Sequence, residues 1–231
     1  MEYKQLALQP RLALLARLVP EGCHLTDVGT DHGYLPVSLL QQGRITAAIA
    51  SDIGAEPLEH ARRTAAQYGA AGIDFRLCPG LFAIAPEETD VIVIAGMGGE
   101  TIMTILQDAP WTKDGRHTLL LQPMTKTADL RRWMADNGYT FTDEHLVEDK
   151  GRLYPVLTVT GGKHRALTEA EALCGVLLAD DPLYAAYLTE HITKLRRSAE
   201  GLRRSSAPDA AAQAARMDAL AEELEKKRCK V

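Results

Sequence analysis

The spacing of apolar residues changes several times along the chain, and each change predicts an element. Leu12, Leu14, Leu15, Leu18 and Val19 suit one face of a helix that Pro20 and Gly22 stop, leaving Arg11 and Arg17 near the surface. A short apolar strand then runs into Asp27. Glycines follow at 29 and 33, and Tyr34 to Gln42 reads as a helix closed by Gly43. Thr46 to Ser51 is a second strand, and a helix starting near Glu56 and Pro57 runs through Tyr68 to Gly69. Ile73 to Cys78 is a third strand. Asp90-Val-Ile-Val-Ile-Ala95 is a fourth, an unbroken β-branched run of the kind buried on both faces of a parallel sheet. A helix is expected from about Glu100, a fifth strand over Thr118 to Leu121, and an amphipathic helix over Thr127 to Asn137 ended by Gly138. Tyr139 to Glu148 and Arg152 to Thr160 then flank Asp149-Lys150-Gly151, which carries the turn chemistry of a β-hairpin.

Gly161-Gly162 marks a boundary. After a short helical piece near Thr168 to Ala179, Tyr184, Leu188, His191, Leu195, Ala199 and Leu202 recur at steps of three and four, the seam of a coiled coil. Ser205-Ser206-Ala207-Pro208 is a turn. Ala214, Met217, Leu220, Ala221 and Leu224 form a second stripe, so the tail should be an antiparallel helical hairpin. The chain therefore divides into an α/β domain at 1–162 and a helical coiled-coil domain at 163–231.

A length of 231 residues suits one large core with an appendage. Cys23, Cys78, Cys174 and Cys229 are far apart and form no Cys-x-x-Cys pair, which argues against a zinc site, a redox motif or a disulfide framework. The apolar run near Leu12 is too short to span a membrane, so the expected location is the cytosol, with neither membrane nor metal as a partner. The net charge of −5 does not suggest indiscriminate coating of nucleic acid. From His164 onward eleven basic residues balance eleven acidic ones, so the whole excess lies in the first domain. In the tail, Lys194, Arg196, Arg197, Arg203 and Arg204 place five cations on one helix, with few acids close by in sequence. Phosphate contact and an ordinary solvated face both account for such a run.

Candidate chemistry gathers where the strands end. Leu25-Thr-Asp27-Val-Gly29-Thr30-Asp31-His32-Gly33 joins a strand to a helix through a glycine turn, setting backbone N–H groups and a helix N-terminus beside an acidic side chain. A dinucleotide fingerprint needs glycine directly after the strand, and this chain has Asp27 there. A carboxylate suits a cofactor carrying an ammonium and a sulfonium and would oppose a pyrophosphate, which disfavours a nicotinamide dehydrogenase. Asp52 ends the second strand, where α/β nucleotide sites place an acid on ribose hydroxyls; capping of the next helix explains it equally well. Gly96-Met97-Gly98-Gly99 ends the fourth strand with a backbone that a ligand can approach closely.

Asp27-x-Gly29-x-x-x-Gly33 matches the first motif of the class I S-adenosylmethionine-dependent methyltransferases, and five strands alternating with helices before a closing hairpin is the element order of their Rossmann-like seven-stranded sheet. With Ile49-Ala-Ser-Asp52, Ile94-Ala-Gly-Met-Gly-Gly99, Leu120-Leu-Gln-Pro123 and the two-helix tail, nearly the whole chain resembles the bacterial tRNA adenine-22 N1-methyltransferases. The resemblance implies S-adenosylmethionine as cofactor, held by Asp27, Gly29, Thr30, Gly33, Asp52, Ile53, Gly80, Leu81, Ala95, Gly96 and Met97. It implies tRNA as partner, met by His32, Tyr34, Gln122 and Pro123 at the acceptor base and by the cations of the tail, in a monomer or weak homodimer. Two departures stand out. Cys78-Pro79-Gly80-Leu81 replaces the family's Gly-Asp-Gly-Leu, and Gln122-Pro123-Met124 replaces Gln-Pro-Asn.

Adenine N1 already carries the attacking lone pair, so no proton need leave first, and the product ring is cationic. Asp31 is the first candidate for the group that stabilises that charge. N1 lies on the pairing edge, so the base must be unpaired or swung out of its stack, where His32 or Tyr34 would receive it; packing at the start of the helix explains both residues equally well. A methyltransferase acting on a small molecule or a protein, and a non-catalytic module that binds cofactor and RNA, remain the alternatives.

Overall fold

The computed structural model describes residues 3–229. In chain order its elements are α1 (Pro10–Leu18), β1 (His24–Val28), α2 (Tyr34–Gln41), β2 (Ala47–Asp52), α3 (Ala55–Tyr68), β3 (Ile73–Leu77), β4 (Val91–Gly98), α4 (Gly99–Asp108), β5 (Thr118–Thr125), α5 (Thr127–Asp136), β6 (Tyr139–Asp149), β7 (Arg152–Gly161), α6 (Glu169–Cys174), α7 (Tyr184–Arg203) and α8 (Ala210–Arg228). They form one seven-stranded sheet in the order β3-β2-β1-β4-β5-β7-β6. Strands β1 to β5 are parallel, and β7 enters antiparallel between β5 and β6. The seven-stranded sheet and its helical tail are the architecture that the element order predicts.

Strand β4 supplies the centre. Val91, Ile92, Val93 and Ile94 are nearly or wholly buried, with alternate side chains feeding two cores. Ile92 and Ile94 join Ile102, Leu106, Leu130 and Tyr139 on one face, while Val91 and Val93 join Leu15, Leu35, Leu39 and Val156 on the other. The order in which strands are added reverses at the middle of the sheet, since β1 leads to β2 on one side and pairs with β4 on the other. A crevice opens at that switch point, outside the carboxyl ends of the strands.

Two expectations change in extent. The ladder between β4 and β5 does not stop at Ala95 and Leu121 but continues through Gln122 and Pro123 to Thr125, with irregularities around Met97. The glycine loop is thus a bulged strand end held by its neighbour, which gives it a fixed shape. The helix expected over Thr168 to Ala179 is shorter, because Gly175 turns to φ 99° and breaks it; its start is fixed by a capping box between Thr168 and Glu171. Short 3₁₀ turns at Pro86–Glu88 and Pro110–Lys113, each opened by proline, went unmarked by the apolar pattern. The β6–β7 turn is as expected: Asp149 pairs with Arg152, and Lys150 and Gly151 both take positive φ.

Helices α7 and α8 pack antiparallel, and their shared core also takes in α6 and Leu146 of β6. That wider contact explains why Tyr187 and Ile192 are buried although they lie off the expected seam. A fully buried ion pair joins the tail to the sheet. Arg131 of α5 meets Glu144 of β6 at 2.8 Å, the guanidinium also donates to the carbonyl of Ala172, and Glu144 accepts the N–H groups of Val176 and Leu177.

Candidate active site

Asp27 is the penultimate residue of β1, with 7% of its surface exposed. One carboxylate oxygen accepts a hydrogen bond from the Thr30 hydroxyl at 2.6 Å. Burial raises this carboxyl, the Thr30 bond partly offsets it and the neighbouring charge of Asp52 adds a smaller rise, so that it is pushed up to about 6 in all. A carboxylate held in this way gains most from a cation. Thr30, itself buried, acts through Asp27 and does not face the crevice. Asp52 caps its own turn through Gly54 N–H at 2.8 Å and also lines the crevice, so both readings of its position hold.

The crevice has a volume of about 860 Å³. Gly29, Asp52, Ile53, Gly80, Leu81 and Met97 line it, as the resemblance implies, whereas Asp27, Gly33, Ala95 and Gly96 lie behind or beside its wall. Gly29 keeps the floor open: its φ is +73°, and a Cβ there would fall 2.1 Å from the Met97 methyl carbon. Ile53 and Phe82 stand at the mouth, 79% and 87% exposed, as apolar surfaces with nothing against them. A nucleoside-sized space with apolar jaws, an acid on one wall and a cation-seeking carboxylate behind it fits S-adenosylmethionine. Pro79 lines the crevice where the family carboxylate is absent.

The opposite wall was missed in the sequence. Thr101, Thr104, Ile105 and Asp108 all face the crevice from α4. Their spacing is one helical face, so the signal was present once that helix is placed beside the site.

On the acceptor side, Asp31 takes a left-handed conformation, φ 49°, and its side chain is 68% exposed, 3.7 Å from His32 Nε2. His32 stacks on two rings, those of Tyr34 and His60, each nearly parallel to it with centroids 5.1 Å away. The expectation that His32 receives the base is narrowed, because its ring is already stacked on two neighbours; Tyr34 has one such partner. Ligand atoms of Asp31, His32 and His60 lie within 4.8 Å of one another. Tetrahedral zinc holds its ligand atoms roughly 3.4 Å apart, so ring stacking accounts better for this spacing.

Gln122 and Pro123 are also corrected. Both are buried, Gln122 completely, and cannot touch a base. Gln122 Oε1 accepts from Gly96 N–H at 3.2 Å and from Arg11 Nη1 at 3.0 Å, while Nε2 donates to the Pro123 carbonyl. They brace the β4 loop from behind.

The tail cations differ as well. Lys194 pairs with Glu190, Arg196 with Glu225, Arg203 with Asp218 and Arg204 with Glu200, so acids do lie close by. Two of these partners come from α8, which the sequence of α7 alone does not reveal. Arg197 is exposed and has no ion-pair partner among the described residues. All the pairs are on the surface, where such contacts contribute little.

The sequence model described as a methyltransferase domain matches residues 8–157. A Bacillus subtilis protein named tRNA (adenine(22)-N(1))-methyltransferase is 33% identical over 175 residues, covering 75% of this chain and 74% of that protein. The crystal structure of the B. subtilis m1A22 tRNA methyltransferase TrmK superposes with a TM-score of 0.85 at 28% identity, covering 96% of this chain and 99% of the other. Streptococcus pneumoniae Sp1610, described provisionally as a tRNA (m1A22) methyltransferase and solved with S-adenosyl-L-methionine, gives a TM-score of 0.81 at 30% identity, with coverage of 93% and 97%.

Proposed function

This chain belongs to the tRNA (adenine(22)-N(1))-methyltransferase family, and from that premise we propose that it transfers the methyl group of S-adenosylmethionine to N1 of adenine 22 in tRNA. The observation that carries the reading is the raised, buried Asp27 behind a nucleoside-sized crevice at the sheet's switch point. The loop beyond β4 adds to it: Ala95-Gly96-Met97-Gly98 stands where methyltransferases of the exocyclic amine commonly carry Asn/Asp-Pro-Pro-aromatic, which favours a ring nitrogen.

When bound, S-adenosylmethionine supplies an electrophilic methyl on a sulfonium. Asp27 would hold the ammonium end, Asp52 the ribose hydroxyls, and Ile53, Leu81 and Phe82 would supply the apolar surface for the adenine. Gly29 leaves the room in which Met97 can press against the cofactor and exclude water. The residues of the acceptor side orient the base so that the N1 lone pair lies in line with the transferring methyl. Asp31 stabilises the positive charge that grows on the ring, and being exposed in the free enzyme it gains strength as the incoming base excludes water. Tyr34, at the end of its stack, receives the base after it leaves its own stack in the tRNA.

The tail contributes phosphate contacts, with Arg197 available directly and Arg196, Arg203 and Arg204 able to exchange an exposed carboxylate for a phosphate. The test is incubation with S-adenosylmethionine and unmodified bacterial tRNA transcripts, then nucleoside mass spectrometry with fragment mapping. The expected product is 1-methyladenosine at position 22. Cofactor binding without any methylated adenosine overturns the reading.

A further inference from the structure

Arg11 lies outside every motif, and its place in α1 predicts a surface position. The structure puts it elsewhere. Its guanidinium reaches across the carboxyl edge of the sheet, where Nε donates to Asp149 Oδ2 at 2.7 Å and Nη1 to Gln122 Oε1 at 3.0 Å. The group lies over the Tyr154 ring, 5.3 Å from its centroid, and Nη1 also meets Met124 Sδ at 3.5 Å. Its side chain is 25% exposed and that of Asp149 only 7%. One cation therefore ties α1, the end of β5 and the β6–β7 turn into a single network.

The network ends on the reaction loop. Gln122 is fully buried, and its Oε1 accepts from both Arg11 Nη1 and the N–H of Gly96. Arginine is donor-only, so it fixes the carboxamide with oxygen toward Gly96 and nitrogen toward the Pro123 carbonyl. Gly96 has φ 75°, open space where a side chain would be, and falls in the irregularity between the ladder pairs of Ala95 and Met97, so its own N–H relies on Gln122. A bulged glycine held by one side-chain acceptor keeps the orientation of its peptide only as well as that acceptor is held.

We propose that Arg11, oriented by Asp149, is a positioning residue for methyl transfer: through Gln122 it sets the Gly96–Met97 backbone, which carries Met97 into the wall of the crevice where the methyl group is transferred. This rests on the functional reading above. A planar fork is needed because two acceptors in different directions are served at once, which an ammonium cannot do with the same rigidity. Misalignment of about 1 Å at a reacting centre lowers turnover by up to roughly a hundredfold without touching ground-state binding.

The test compares wild type, Arg11→Ala, Arg11→Lys and Asp149→Asn in tRNA methylation, in calorimetric titration with S-adenosylmethionine and in hydrogen exchange of the 93–99 segment. Arg11→Ala should lower kcat 10- to 100-fold with cofactor Kd within about threefold, and the exchange of Gly96 should quicken. Methylguanidinium at millimolar concentration should restore part of kcat to Arg11→Ala and none to wild type, an effect that a merely structural role would not produce. If Arg11→Ala does not fold, Arg11→Lys and Asp149→Asn should show the same kcat loss at smaller size, about 3- to 10-fold. Unchanged kcat in folded variants, or a kcat loss matched by equal loss of cofactor affinity, overturns the proposal. If wild type methylates no tRNA while Arg11→Ala still quickens Gly96 exchange, the functional reading fails and the bracing of the loop stands; unchanged exchange overturns the bracing itself.

Discussion

The two halves of the sheet's carboxyl edge handle their polar groups in opposite ways. Around β1 and β2, Asp27 is buried with one hydroxyl partner and a raised pKa, while Ile53 and Phe82 stand almost bare. Around β4, β5 and the β6–β7 turn, Arg11, Gln122, Asp149 and the Gly96 amide satisfy one another within the protein. The first half leaves its groups open to a ligand, and the second is closed by the fold. Groups that bind are left short of partners, at a cost in stability, whereas groups that position others are saturated because any slack would reach the reacting atoms.

The sharpest way to break this contrast is Asp27→Asn. Loss of the charge should weaken S-adenosylmethionine binding about 100-fold, on the order of 2–3 kcal/mol for a charged hydrogen-bonded contact. Because ionising the buried carboxyl costs the fold up to roughly 3 kcal/mol at neutral pH, the variant should melt at or above the wild-type temperature. Calorimetry of binding and of unfolding reads both, and a matching fall in stability would make Asp27 structural. Next comes Asp31→Ala, expected to lower kcat roughly 30-fold with cofactor affinity within about threefold. Should titration show that Asp31→Ala abolishes cofactor binding, the division of roles between the two aspartates is wrong.

A third effect is about tenfold and comes from pH. The Asp27 carboxyl titrates near 6 in the free protein, raised above its ordinary value, so ionisation disfavours the fold above that pH and favours cation binding there. Cofactor affinity should therefore fall about tenfold from pH 7 to pH 5, with proton release on binding near pH 6, and Asp27→Asn should flatten that profile. The smallest effect concerns the tail. Arg203→Glu with Arg204→Glu should weaken tRNA binding only about threefold and lower its salt slope by at most about two, since both cations already hold carboxylates. A filter-binding series in salt that shows no change would leave the hairpin without a role in holding tRNA.

Much of the binding half was legible because its signals are local. A strand ending in Asp27, the glycine at 29 and the acid at 52 lie within single strand–turn–helix units, where sequence spacing and spatial distance are nearly the same thing. The α4 wall of Thr101, Thr104, Ile105 and Asp108 was legible in principle, since a helix maps period onto face. The bracing half was not. Arg11 meets Asp149 and Gln122 across 138 and 111 residues, and only the order of strands in the sheet brings those ends together. The reading of Gln122 and Pro123 as base contacts failed for the same reason: their position at a strand end was foreseen, but the continuing ladder that buries them was not. The stacking of His32 on His60 was likewise out of reach, because His60 comes from another helix.

By itself, then, the sequence determined the order of elements, the parallel core around β4, the helical hairpin and the family, since these follow from hydrophobic period, turn residues and short motifs that act over neighbouring positions. Only the tertiary structure decided which polar side chains are spent on one another and which are left open. That choice depends on distances between segments far apart in the chain, set by strand order for Arg11 and Gln122 and by helix register for the ion pairs of the tail. A charged or amide side chain has the same spelling whether it faces a substrate or a neighbour, and only burial and partner geometry separate the two.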